Sequence, residues 1–150
     1  MRTDLEQQLY TKYPRIFRKT VERNYHCSLD VGDGWYNIVN SLLRCIKSHS
    51  RFNTQTRWYA RQQNRNGKNI IMPAKTPLVQ VVQVKEKFGS LRFYVINSDS
   101  TILNYIDMAE AMSAVTCEDC GAPGSLRRKG WISCLCDACE KIRQTRKNND

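Results

Sequence analysis

With 150 residues, 41% of them hydrophobic and 25% charged, the chain has the composition of one globular domain, or of a modest core carrying a small appendage. No run approaches the roughly 18 apolar residues that a membrane helix needs, and the opening Met1-Arg-Thr-Asp-Leu-Glu-Gln-Gln contains no apolar signal region, so a cytoplasmic protein is expected. The net charge of +10 is uneven: 14 Lys/Arg against 5 Asp/Glu over 1–76 (+9), 3 against 4 over 77–115 (−1), and 7 against 5 over 116–150 (+2). A basic N-terminal half favours an anionic partner, either nucleic acid or an acidic protein face.

Thr3-x-x-Glu6 has the form of a capping box, and Leu5, Leu9 and Tyr13 recur every four residues, which predicts a helix over 4–13 ended by Pro14. Ile16, Phe17 and Val21 form a second short apolar segment, expected to be helical, and 24–32 reads as loop. Asp33 is the expected N-cap of a helix from Gly34 to about Lys47. Trp35, Ile38, Val39, Leu42 and Ile46 fall on one face as a core stripe, with Asn37, Ser41, Arg44 and Ser48 opposite. His49 then ends that helix, where attraction to the helix dipole accounts for it.

Residues 50–76 change character. Arg51, Arg57, Arg61, Arg65 and Lys68 come with no acid among them, three of the arginines recur every four residues, and Trp58 and Tyr59 lie between. Asn66-Gly67, Pro73 and Pro77 mark the exit, so the segment reads as a basic loop, mobile or helical, inserted into the domain. From Leu78 the pattern turns to strand. The runs Val79–Val84 and Leu91–Ile96 flank turn residues 85–90, which predicts a hairpin. Ser98 or Asp99 then caps a helix over about 100–114 with Ile102, Ile106 and Ala109 inward.

That helix leads into Cys117-Glu-Asp-Cys120, and fifteen residues later comes Cys136-Asp-Ala-Cys139. Two CxxC pairs so spaced are the usual imprint of a four-thiolate zinc site, because each pair turns two sulfurs onto one metal and the spacer returns as a hairpin. Gly121 and Pro123-Gly124 supply turn chemistry, Lys129-Gly130 suggests the hairpin tip, and Cys136 and Cys139 open a polar helix. Knuckle, hairpin and helix in that order describe a treble-clef-like element. Cys134 is an inferior substitute for Cys136, since it lacks the CxxC bite with Cys139; Cys27, Cys45 and Cys134 read as small buried hydrophobes. Seven cysteines, four at metal spacing, fit a reducing compartment.

Four blocks also resemble a group of small, largely uncharacterised proteins of tailed bacteriophages and prophages. They are Lys12-Tyr-Pro-Arg-Ile-Phe17, Asp33-Gly-Trp-Tyr-Asn-Ile38, Val81-Val-Gln-Val-Lys-Glu-Lys-Phe-Gly-Ser-Leu-Arg-Phe-Tyr94, and Cys117-Glu-Asp-Cys-Gly-Ala-Pro-Gly124 continuing to Gly130-Trp131 and Leu135-Cys-Asp-Ala-Cys139. The segment 50–76 lies outside the resemblance, and the group often has His where this chain has Cys139. The resemblance implies a viral accessory protein in a host bacterial cytoplasm and carries no established activity.

The resulting expectation is an α+β protein: a domain over 1–115 with a basic insertion, a treble-clef-like element over 116–145, and a polar tail over 146–150. Cys117, Cys120, Cys136 and Cys139 are expected to hold one structural Zn2+. His26 and His49 lie outside any nuclease-like motif, no phosphate-cradling or HExxH motif appears, and four thiolates leave zinc no open position, so catalysis is not expected. The expected partner is nucleic acid, bound without sequence preference through Arg51, Arg57, Trp58, Tyr59, Arg61, Arg65 and Lys68, with Arg127, Arg128 and Lys129 at the hairpin tip as a second contact. The alternative is a protein-binding inhibitor or modulator of a host factor or defence system, acting on an acidic host protein, with Trp131 either an interface anchor or a cover for the metal.

Overall fold

The computed structural model describes residues 1–18, 28–128 and 130–147. Val21, His26, Cys27, Lys129 and the end of the polar tail lie outside the described residues. The fold is mixed α+β. Among the described residues it has four α-helices, α1 (Thr3–Lys12), α2 (Tyr36–Arg65), α3 (Ser100–Ser113) and α4 (Asp137–Lys147). A three-stranded sheet contains β1 (Leu29–Asp30), β2 (Gln80–Lys87) and β3 (Ser90–Ile96), and a two-stranded sheet contains β4 (Ser125–Arg127) and β5 (Ser133–Leu135).

The N-terminus is built differently from the capping expectation. Arg2 takes the N-cap position of α1 with no side-chain cap, and Glu6 instead accepts from the Leu29 amide at 2.9 Å. Asp33 does not cap α2 either. Its carboxylate receives the Arg2 amide at 2.7 Å and pairs with the Arg2 guanidinium at 2.7 Å, while Gly32 precedes a 3-10 turn, Asp33–Trp35, that feeds into α2. A carboxylate that can satisfy a distant donor is not obliged to satisfy its own helix.

The largest departure is α2, which runs for 30 residues, a length of about 45 Å. It does not stop at Lys47, and most of the segment read as an inserted loop is its second half. The cause is visible in the chain: no Gly or Pro occurs between Tyr36 and Arg65, and the next is Gly67, at φ +82. The apolar stripe ends at Ile46, and beyond it only Ala60 is buried. The helix therefore outruns its core as an arm. His49 consequently lies mid-helix, where its Nε2 meets Asp99 Oδ2 at 2.8 Å.

β2 and β3 form the expected hairpin, though the strands extend to Lys87 and resume at Ser90. The turn is reduced to Phe88 and Gly89, both at positive φ (54° and 79°), the combination a two-residue primed turn requires. A register shift between Val81 and Gln83 lets Val81 and Val84 both face the core and leaves Val82 outside, breaking strict alternation. β1, inside the stretch read as loop, pairs parallel with β2 through Leu29↔Val84.

α3 packs on β3 and α2 packs on α3, and their inward residues join Leu91, Phe93, Val81 and Val84 in one buried cluster that includes Trp35, Leu43 and Ile102. Asp99 caps α3 as expected, accepting from the Ile102 amide at 3.0 Å. The open edge of β3 is closed by α3. Its Leu91 amide donates to Ser113 Oγ at 2.8 Å and its Phe93 amide to Glu110 Oε1 at 3.1 Å, so those two edge donors are satisfied. No helix among the described residues is long and apolar enough to cross a membrane.

Candidate metal centre

The first pair of cysteines is presented by a closed backbone loop. Cys117 donates its amide to Ala122 O at 2.7 Å, Gly121 returns its amide to Cys117 O at 2.9 Å, and Gly121 turns the chain at φ +79. The second pair sits at the start of α4, where the Cys139 amide donates to Cys136 Sγ at 3.5 Å and the Glu140 amide to Cys136 O at 3.0 Å. Between them the β4–β5 hairpin brings the two pairs together, registering Leu126 opposite Cys134.

The four sulfurs of Cys117, Cys120, Cys136 and Cys139 all lie within 4.8 Å of one another, and Cys120 and Cys136 are 3.7 Å apart. A tetrahedral ion with metal–sulfur bonds of about 2.3 Å needs sulfur–sulfur edges of about 3.8 Å. The cluster therefore fits one structural metal ion, and it is the one such His/Cys/Asp/Glu group among the described residues.

The Cys139 amide and thiol hold the Cys136 thiol down at about 7, whereas burial and then the three neighbouring sulfurs push Cys139 up. Cys136 therefore ionises ahead of Cys139. Cys134 stands apart. It is fully buried, donates to Ala114 O at 3.3 Å and belongs to the main core, so Cys136 is the partner of Cys139.

The knuckle is seated on the start of α2. Gly34 donates its amide to Glu118 O at 2.8 Å, Gly32 donates to Glu118 Oε1 at 3.0 Å, and the Trp35 indole donates to Thr116 O at 2.8 Å. A Cβ on Gly34 would overlap Cys117 O and lie 2.7 Å from Cys120 N, so only glycine permits this approach. Glu118 is partly buried, with its Oε1 held by the Gly32 amide. Burial raises its pKa, opposed by the Gly32 hydrogen bond.

The hairpin arginines divide. Arg127 is spent inside the element, donating to Leu135 O at 3.0 Å and pairing with Asp137 at 2.6 Å, so it is not available as a tip contact. Arg128 is exposed. Arg143 likewise ties α4 to the hairpin by donating to Ser133 Oγ, and it pairs within the helix with Glu140. Trp131 is 74% exposed and does not cover the sulfurs.

Along the arm, helical geometry sorts the predicted residues by face. At 100° per residue, Arg51, Trp58, Arg61 and Arg65 fall within an arc of about 80°. Arg57 lies with Asn53 and Asn64 on another face, against which the chain after Gly67 folds back. Asn53 holds Ala74 O and the Thr76 amide at 2.8 and 3.0 Å, Arg57 donates to Pro73 O, and Asn64 holds Ile70 through both its amide and carbonyl at 2.7 and 2.9 Å. Arg57 is thus a clasp, not a free contact. Trp58 and Tyr59 are 61% and 53% exposed, and Arg61, Arg65 and Lys68 are exposed. The clasp was missed in the sequence, although Asn at 53 and 64 beside Arg57 offered the polar groups needed. Comparison with protein-family models, curated proteins and solved structures finds no match for this chain.

Proposed function

We propose that the four thiolates hold one structural zinc ion in a treble-clef-like element, and that the protein is a non-catalytic accessory protein of the tailed-phage kind that binds nucleic acid without sequence preference. An all-thiolate tetrahedral set suits zinc or a single iron, and only zinc leaves the protein colourless. Four protein ligands fill the coordination shell, which favours a folding role over a catalytic one.

The observation that carries the nucleic-acid reading is the arm. It extends past the core with Arg51, Arg61 and Arg65 on one face beside an exposed Trp58, and no Asp or Glu occurs from 34 to 85. Cations for phosphates and an indole for base stacking on one face are the elements of single-strand binding. Arg57 and Arg127, both engaged internally, drop out of the contact set.

Titration of random single-stranded and duplex oligonucleotides against salt tests this. Affinity should fall steeply with salt, Arg61→Ala/Arg65→Ala should reduce the magnitude of the log–log slope by about 1.4 to 1.8, and Trp58→Ala should weaken single-strand binding by about 1–3 kcal/mol. The exposed Trp131 favours the second reading, an interface anchor on a host protein. Oligonucleotide binding that is absent or insensitive to salt, with a host protein retained after nuclease treatment and lost with Trp131→Ala, would establish that reading instead.

A further inference from the structure

A cleft of about 860 Å³ opens at the root of the arm, between the turn at 12–16, the part of α2 around Lys47, and the returning chain at 75–79. Among the described residues five cations line it, namely Lys12, Arg15, Lys47, Arg51 and Lys75, and no carboxylate does. None of the five pairs with a carboxylate among the described residues. A concave wall of one sign focuses its field into the cleft and favours an anion there.

Part of that wall is held in place before any ligand arrives. The Lys12 and Lys47 ammonium groups lie 5.6 and 5.5 Å from the centroid of the buried Tyr13 ring, and Lys12 donates to Asn40 Oδ1 at 3.0 Å. The lining also has an apolar part, exposed Pro77 and Leu78 with buried Ile46 and Val79, while Ser50 and Gln55 offer hydrogen-bonding groups on the helix. An inorganic anion would leave the apolar part wet, and a hydrocarbon chain would leave most of the cations without a partner. A heterocycle carrying phosphate uses both, and the volume falls within the range of about 300–1,000 Å³ typical of small-molecule sites.

We propose that this cleft binds a nucleoside phosphate, the phosphates against Lys12, Lys47 and Lys75 and the base against Pro77 and Leu78. The ligand is either a free nucleotide or a unit of a nucleic-acid strand. Lys47, Arg51, Trp58, Arg61 and Arg65 share one stripe along α2, within an arc of about 80°, so a strand following the arm is led into the cleft. The strand-borne form rests on the reading of the arm given above; the free nucleotide does not.

The test titrates the intact protein, at fixed salt, with ATP, GTP, inorganic tripolyphosphate and a 5′-phosphorylated oligothymidylate. A nucleotide should saturate one site with a Kd below about 1 mM, and tripolyphosphate, with similar charge and no base, should bind at least roughly tenfold more weakly. Lys47→Gln/Lys75→Gln should weaken nucleotide binding roughly tenfold with circular dichroism unchanged, whereas Arg61→Ala/Arg65→Ala should leave it alone. Lys75→Gln by itself, which removes no hydrogen bond or ion pair among the described residues, keeps the test readable if the double variant destabilises the fold. If only the oligonucleotide binds and the lysine variants weaken it, the source is the strand. Equal affinity for tripolyphosphate and nucleotide, no binding of any probe, or lysine variants that bind nucleotide and strand like the parent would each overturn the proposal. Strand binding indifferent to Arg61 and Arg65 with nucleotide binding intact removes the arm reading and leaves the cleft.

Discussion

At the knuckle junction, backbone lies against backbone, Gly34 on Glu118 and Gly121 beside Gly34, and the buried Trp35 indole is also held on Thr116 O. Along the arm, contact is made by side chains reaching across to the returning backbone, through Asn53, Arg57 and Asn64. The first kind of contact admits almost no change of shape, because there are no rotamers to give way. The second tolerates replacement one clasp at a time. The junction therefore determines whether the protein folds, and the arm determines what it can touch. The strongest way to separate the two regions is to remove the proposed metal. Structural zinc sites carry apparent binding free energies on the order of 10 kcal/mol, so chelation or Cys139→Ser should abolish the order of 116–147 and loosen the start of α2 with it. Near-UV circular dichroism of the Trp35 environment reads this directly. An unchanged spectrum and melting temperature after chelation would mean that the four sulfurs do not hold an ion.

A glycine pair sharpens the contrast further. Gly34→Ala places a Cβ into Cys117 O and Gly121 N, and backbone atoms cannot swing aside, so a loss of about 3 kcal/mol or more is expected. Gly67→Ala, at the arm's turn, meets nothing within 4 Å and bears only the cost of its φ of +82, about 1–2 kcal/mol. Denaturant melts of the two variants measure both. Equal losses would mean the junction is not the rigid element described.

Between these regions lies the contact of α2 with the cap of α3. Burial opposes the charge on Asp99, but hydrogen bonds from His49 and the Ile102 amide outweigh it and hold its carboxyl below the ordinary value of 3.8. A depressed folded-state value means that the stabilisation is fully present above about pH 4 and is lost as pH falls through the depressed value. Asp99→Asn should cost about 1 kcal/mol at neutral pH, and the difference from the parent should shrink below pH 4. A gap that stays constant down to pH 2 would remove the charge from the account.

These differences also explain what could be read in the chain. The cluster of four cysteines was legible because a CxxC pair encodes its own local geometry. The stripe from Trp35 to Ile46 was legible for the same reason, since 3.6-residue periodicity is a local property. The seat of the knuckle was not. Gly32 reads as a loop glycine and Gly34 as the first residue of a helix until backbone from another part of the chain is brought against them. β1 is two residues long and its partner is distant, so no pattern announces it. The extent of α2 could have been read from the lack of Gly and Pro before Gly67, but the change to basic composition at Arg51 suggested a boundary. Composition changed there because the core ended, while the helix did not.

The smallest expected effects lie on the arm itself, and they test whether its two faces differ as the helix geometry requires. Arg57→Ala removes the donor to Pro73 O and Asn53→Ala removes two hydrogen bonds to the returning chain, so each should cost about 1 kcal/mol and increase amide exchange over 68–76. Arg61→Ala and Arg65→Ala, on the open face, should change stability by less than about 0.5 kcal/mol. Hydrogen exchange at Thr76, whose amide is held by Asn53, discriminates best, because it responds to the clasp and not to surface charge. If the Arg61 and Arg65 variants accelerate exchange there as much as the Arg57 variant does, the basic face is structural. Its arginines would then be committed to holding the arm together and could not also be free for an anion.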